Sequence, residues 1–192
     1  MWDENSVLYS DLSYMTEADF IDWKQLRGKT FYITGGTGLI GYYLIQTLLY
    51  RNAKFQDHIR ILALVRNPEK ARAMYERQIP GAGDFLQFVQ GDVTETQRME
   101  DSVDFLIHGA SPTASRYFVE HPLETLETAI QGTSNMLHLA EEKQVKKMVY
   151  LSSMEVYGDH QSEDKISEEE AVCLYPRFPI YITRIQESIA SN

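Results

Sequence analysis

Residues 29–41, Lys29-Thr30-Phe31-Tyr32-Ile33-Thr34-Gly35-Gly36-Thr37-Gly38-Leu39-Ile40-Gly41, constrain this chain more than any other stretch. An apolar run passes through a glycine turn into an amphipathic run that continues to about Leu49. The spacing predicts a strand at 30–34 and a helix over 38–51. Gly35 can take the backbone angles of a tight turn, Gly38 leaves room beside the backbone, and Gly41 lets the helix pack closely on the strand. A turn of this kind brings backbone N–H groups up to a diphosphate, which then sits at the positive end of the helix. Gly35, Thr37, Gly38, Leu39, Ile40 and Gly41 are therefore the first candidate binding residues.

From Lys29 onward, strands and helices alternate. Apolar runs predict strands at 59–65, 85–89, 103–107 and 147–151. Pro68 suits the first turn of a helix reaching about Gln78, and a long helix is expected over Pro122–Lys143, with Leu123, Leu126, Ile130, Leu137 and Leu139 among its apolar positions. Apolar strands alternating with helices predict an α/β fold, a doubly wound parallel sheet covered on both faces. Residues 1–15 show no clear period. Thr16-Glu17-Ala18-Asp19 reads as a capping box opening a short helix to about Leu26, lined by Phe20, Trp23 and Leu26. After Gly158 the chain turns acidic and then proline-broken, with a last helix expected at about 180–190.

The bulk composition narrows the partners. A formal net charge of −10 argues against nonspecific binding to DNA, RNA or anionic lipid, yet leaves room for a small anion held by backbone dipoles. The one cysteine, Cys173, forms no internal disulfide and fits a reducing compartment. The N-terminus has no basic-then-apolar signal pattern, and no apolar run reaches membrane-spanning length. A cytoplasmic setting is expected.

Candidate chemistry gathers where strands end, because ligands of doubly wound sheets bind outside the carboxyl ends of the strands. Arg66 follows the second strand, where an acidic residue would normally hold the adenosine ribose. An arginine there either pairs with a 2′-phosphate, favouring NADP over NAD, or is a surface residue at a strand end. Asp92, with Val93 beside it, either accepts from an adenine amino group or starts the next turn. His108-Gly109-Ala110 ends the fourth strand beside the glycine loop, where small residues let a cofactor pass; a histidine at such a place is more often structural than catalytic. Ser152-Ser153-Met154-Glu155 follows the fifth strand, and the Ser153 hydroxyl with the Glu155 carboxylate could orient a substrate hydroxyl and move a proton.

Taken in order, five segments resemble the extended short-chain dehydrogenase/reductase family, the NAD-dependent epimerase/dehydratases of nucleotide sugars. They are residues 34–41, Gly91-Asp92-Val93, His108-Gly109-Ala110-Ser111, Gly132-Thr133-Ser134-Asn135-Met136-Leu137, and residues 151–158. The run from Ser111-Pro112 through His121-Pro122-Leu123-Glu124-Thr125 looks most like UDP-glucuronate decarboxylases and related polysaccharide-locus sugar enzymes. The resemblance implies a Rossmann-type sheet and bound NAD or NADP. It implies a nucleotide-sugar substrate, oxidised through a hydride transfer to a transient keto-sugar. It also implies a homodimer, which family members build from the long helix and the helix after the fifth strand. By position, Ser153 is the family's substrate-orienting residue and Glu155 the glutamate of dehydratases and decarboxylases.

Departures from the pattern are as specific as the matches. Met154 replaces the aspartate or serine found between those two residues, which disfavours dehydration. Ala129 stands where the family carries an active-site asparagine. Tyr181 is the best candidate for the catalytic tyrosine, but Ile185 takes the place of its lysine; Tyr157, with Gln161 four residues on, is no substitute. A tyrosine near its free pKa of about 10 is a poor base at neutral pH. The expected organisation is an extension over 1–27, a dinucleotide-binding domain over 28–170 and a divergent or truncated segment over 171–192. The remaining strands and the sugar-binding region of the family are expected to be missing, and catalysis to be impaired.

Overall fold

The computed structural model describes residues 3–4, 6–76, 84–153, 165 and 167. Five strands, β1 (Thr30–Thr34), β2 (Arg60–Val65), β3 (Leu86–Gln90), β4 (Phe105–His108) and β5 (Lys147–Tyr150), form one sheet in the order β3-β2-β1-β4-β5. Every pairing is parallel, with Thr34 level with Leu64 on one side and His108 on the other. The chain winds outward from β1 through β2 to β3, then returns to place β4 on the other side of β1. The carboxyl ends of β1 and β4 therefore flank the switch point of the sheet, where a doubly wound fold opens a crevice.

Burial follows from that order. Each residue of β1 and all but the first of β2 are buried, as expected of central strands covered on both faces. On one face Phe31, Ile33, Ile61 and Ala63 pack against Ile45, Leu48 and Leu49 of α3 (Leu39–Phe55) and Tyr75 of α4 (Pro68–Glu76). On the other, Tyr32, Leu62, Leu64 and Leu106 pack against Val93, Met136 and Leu139. The last two belong to α6 (Pro122–Glu142), which follows the short α5 (Ser115–Glu120).

Of the apolar positions named on α6, Leu139 is buried and Leu126 half-buried. Leu123, Ile130 and Leu137 are exposed, whereas the sheet-facing stripe is Thr125, Ala129, Gly132, Thr133, Met136 and Leu139. Small residues set this phase: a Cβ on Gly132 would stand 2.9 Å from Val93 Cγ2, so only a glycine lets the helix settle there.

The N-terminal extension also differs from expectation. Its main helix, α1, spans Val7–Thr16, upstream of the anticipated one; Ser6 caps it by accepting from the Tyr9 N–H at 3.1 Å. Thr16 ends that helix instead of opening the next, its hydroxyl donating back to the Leu12 carbonyl at 2.8 Å. α2 is a single turn, Trp23–Leu26, and Phe20 lies exposed. Contacts with α3 decide this arrangement. Tyr9 meets Tyr50 edge-on, and buried Arg51 donates to the Thr16 carbonyl at 2.7 Å. The Arg51 guanidinium lies over the Phe55 and Trp23 rings and pairs with Asp57, whose carboxylate also accepts from Arg27 at 2.7 Å.

At the opposite end of the sheet from the crevice, Asp104 ties three strands together. Its carboxylate accepts from the Thr30 N–H at 3.0 Å and from Lys146 Nζ at 2.7 Å. Burial pushes this carboxyl up, but the Lys146 and Thr30 hydrogen bonds and the charges of Lys146 and Lys29 outweigh it and hold it below its ordinary value.

Candidate functional site

The loop after β1 begins with Gly35 at φ +76°, in the left-handed region that favours glycine. Space imposes the same choice, since a Cβ there would stand 2.5 Å from the Gly109 carbonyl oxygen. The β1 and β4 loops are thus in backbone contact. Gly38 is the N-cap of α3 and carries no side-chain cap; its N–H donates to the Gly35 carbonyl at 3.0 Å, and its own carbonyl accepts from the Tyr42 N–H at 2.8 Å. A Cβ on Gly41 would collide with the Gly35 carbonyl, so helix and loop approach to contact. Thr37, Gly38, Leu39 and Ile40 are exposed, leaving the first-turn N–H groups open to the crevice.

Thr34 and His108 form the floor beneath these loops. The Thr34 hydroxyl lies 2.7 Å from His108 Nδ1 and accepts from the N–H groups of Gly109 at 3.2 Å and Ala110 at 3.1 Å. With both acceptor positions filled, its own proton points at the ring, so Nδ1 is the acceptor and His108 is a neutral imidazole protonated at Nε2. Burial pushes its pKa down to about 4. The ring is shut in beside Tyr150 and offers the crevice only its backbone. The structural reading of His108 is the one this geometry matches.

Asp92 and Val93 sit beyond β3. One Asp92 oxygen accepts from both the N–H and the hydroxyl of Thr94, at 3.0 and 2.8 Å, so the residue does start a turn. Among the described residues, its other oxygen has no such partner. The Val93 side chain lies in the core under α6, and its carbonyl accepts from Asn135 Nδ2 at 2.8 Å.

Arg66 is exposed at the end of β2 and lines an open groove of about 520 Å³. Arg72, Glu69, Phe88 and Gln90 share that groove. Arg72 was not foreseen; its position six residues after Arg66, about one turn into α4, was the available signal. Thr34 and Tyr75 were also missed, because their roles rest on partners far away in sequence. Ser153 lies half-buried just past β5. Met154, Glu155, Tyr157, Cys173 and Tyr181 lie outside the described residues, as does the expected last helix. Among the described residues no cluster of His, Cys, Asp and Glu could hold a metal ion, and no helix is long and apolar enough to cross a membrane.

Residues 31–186 match the model of the NAD dependent epimerase/dehydratase family. The chain belongs to this family. Among its relatives, cinnamoyl-CoA reductase 2 of Medicago truncatula is 32% identical over 143 residues, 73% of this chain and 40% of that protein. UDP-glucuronic acid decarboxylase 2 of Arabidopsis thaliana is 30% identical over 134 residues, 69% of this chain and 27% of that protein. The dTDP-glucose 4,6-dehydratase DesIV of Streptomyces venezuelae, solved with NAD bound, superposes with a TM-score of 0.65 at 25% identity, covering 84% of this chain and 50% of that one. This member of the family thus spans half or less of the length of these relatives. Its described elements are the strands and helices around the switch point.

Proposed function

We propose that this chain binds NADP in preference to NAD across the β1–β4 crevice, in the service of oxidising a nucleotide-sugar hydroxyl to a transient keto-sugar. One observation carries the cofactor reading: the exposed N-terminus of α3 and the two-arginine groove lie at the ends of adjacent strands, β1 and β2. That spacing suits a diphosphate at Gly35–Gly41 and a 2′-phosphate at Arg66 and Arg72. The residues fit such a group, since Gly35 and Gly41 sit where a Cβ would strike backbone and Gly38 where it would stand only 3.3 Å from the Gly35 carbonyl oxygen, which keeps the loop bare. Glu69, beside the arginines, keeps their groove from being purely cationic.

When bound, the nicotinamide supplies the site that takes or returns a hydride. The protein's part is to place the sugar and move a proton. In this reading Ser153 orients the substrate hydroxyl, Glu155 exchanges a proton with it, and Tyr181 is the base. With Ile185 in the lysine position and Ala129 in the asparagine position, that base is weak at neutral pH, so little or no turnover is expected from these 192 residues. The kinship to UDP-glucuronic acid decarboxylases supports a UDP-sugar as substrate. Exposed Leu123, Ile130 and Leu137, spaced by seven along α6, support the implied homodimer.

The same departures favour a second reading, a dinucleotide-binding module without catalysis. Thermal stabilisation by NADP and NAD tests the part common to both. A larger shift with NADP is expected, with the preference abolished in the Arg66→Ala, Arg72→Ala double variant. No shift with either nucleotide would refute both readings, and measurable turnover of a UDP-sugar would refute the inert module.

A further inference from the structure

Tyr75 lies on the inner face of α4 and is 2% exposed. Its hydroxyl donates to the carbonyl oxygen of Gly36 at 2.6 Å. The ring is held between Tyr42 and Phe88, with centroids 5.0 and 5.5 Å away, so the hydroxyl is delivered by a fixed lever. Gly36 is itself buried, and a Cβ on it would stand 2.8 Å from Ile45 Cδ1. Its carbonyl therefore points into protein, where an unmade hydrogen bond is costly.

The peptide joining Gly36 to Thr37 is trans, and in a trans peptide the N–H points opposite to the C=O. Drawing the Gly36 carbonyl inward toward α4 turns the Thr37 N–H outward. Thr37 is exposed at the mouth of the glycine loop, and its N–H has no hydrogen-bond partner among the described residues. We propose that Tyr75 is a positioning residue for the diphosphate: by holding the Gly36 carbonyl, it presents the Thr37 N–H to a phosphate oxygen of the bound dinucleotide. The proposal rests on the dinucleotide reading above. It goes beyond that reading in naming a buried side chain of another helix as what sets one of the phosphate-facing donors. α4 then serves both parts of the site, through Arg72 in the groove and Tyr75 under the loop.

Three ligands separate this role from plain packing: NADP, ADP, which carries the diphosphate, and adenosine 2′-monophosphate, which carries only the phosphate expected at the arginines. In the Tyr75→Phe protein, which keeps the ring, NADP and ADP affinities are expected to fall by roughly three- to tenfold, with that for adenosine 2′-monophosphate unchanged. Equal losses for all three would mean that α4 has moved as a body, and unchanged affinities that the hydroxyl does nothing for binding; either result overturns the proposal. A wild-type chain that binds none of the three refutes the dinucleotide reading itself. Should the variant fail to fold, the wild-type amide resonance of Thr37 decides. It should shift on adding ADP and stay in place with adenosine 2′-monophosphate; an unmoved resonance with ADP bound overturns the proposal.

Discussion

Acid should weaken this fold through His108 before it acts through the carboxylates. In the folded chain the ring is buried and neutral, with a pKa pushed down to about 4, against about 6.5 when unfolded. Between those values the unfolded chain binds a proton that the folded chain refuses, so stability rises with pH across that window and is lost as pH falls through it. The contribution approaches its limit of about 3 kcal/mol below pH ~4, with about 2 kcal/mol already lost at pH ~5. Geometry explains why the ring resists. A protonated Nδ1 would aim its hydrogen at a Thr34 hydroxyl whose lone pairs already serve Gly109 and Ala110. Urea unfolding at several values between about pH 7 and pH 5 measures the effect against His108→Asn, which keeps an acceptor near Nδ1 but cannot titrate. The variant starts less stable, yet it should lose about 2 kcal/mol less than wild type across the interval. Parallel losses in the two proteins would refute the assignment.

Three further outcomes follow from the packing. Gly35→Ala should cost more than about 2 kcal/mol in urea unfolding, because it adds a collision with Gly109 to an unfavourable φ; Gly28→Ala, at φ +64° with no atom within 4 Å of the added carbon, should cost only about 1 kcal/mol. Asp57→Asn leaves the Arg51 guanidinium buried without its counter-charge and should destabilise by about 3 kcal/mol, read from the same unfolding curves. Asp104, whose folded pKa lies below the ordinary aspartate value of about 3.9, stabilises above that value and loses the contribution as pH falls through the folded one, so Asp104→Asn should flatten the stability profile below about pH 4.

Much of this arrangement is legible in the sequence, and what escapes has physical reasons. β1, β2 and β4 are short apolar runs ended by glycine or polar residues, so period and punctuation locate them. Gly35 and Gly41 declare themselves because a backbone turn constrains its own residues. Long-range partners leave no such trace. α1 was missed because it is held by Tyr50 and Arg51 of α3, residues that lie more than thirty positions downstream of it. On α6 bulk does not mark burial: Leu123, Ile130 and Leu137 are exposed, whereas at Gly132 close approach requires the absence of bulk. Tyr75 is buried, like Ala71, on a short polar helix, and nothing in its surroundings points to a glycine thirty-nine residues earlier.

The same topology separates binding from chemistry along the chain. With the order β3-β2-β1-β4-β5, the groups proposed for cofactor binding come from the ends of β1 to β4 and from α4, all before residue 111. The groups proposed for chemistry, Ser153, Glu155 and Tyr181, all follow β5. A change in the later stretch can therefore abolish turnover while the loops that present the Thr37 N–H and Arg66 keep their supports. Those supports are Gly109 packed on Gly35, Tyr75 on Gly36, and Thr34 beneath Ala110. These three contacts involve no residue beyond 110; past β5, Leu151 touches them, packing on Gly109 and donating its N–H to the His108 carbonyl at 3.0 Å. Dinucleotide affinity and sugar turnover should accordingly respond independently to substitution, and the Ile185 departure bears on turnover alone. Restoring it with Ile185→Lys should leave the NADP-induced thermal shift of the chain unchanged within error. A change in that shift comparable to the effect of the arginine substitutions would show that the two functions are coupled through the sheet.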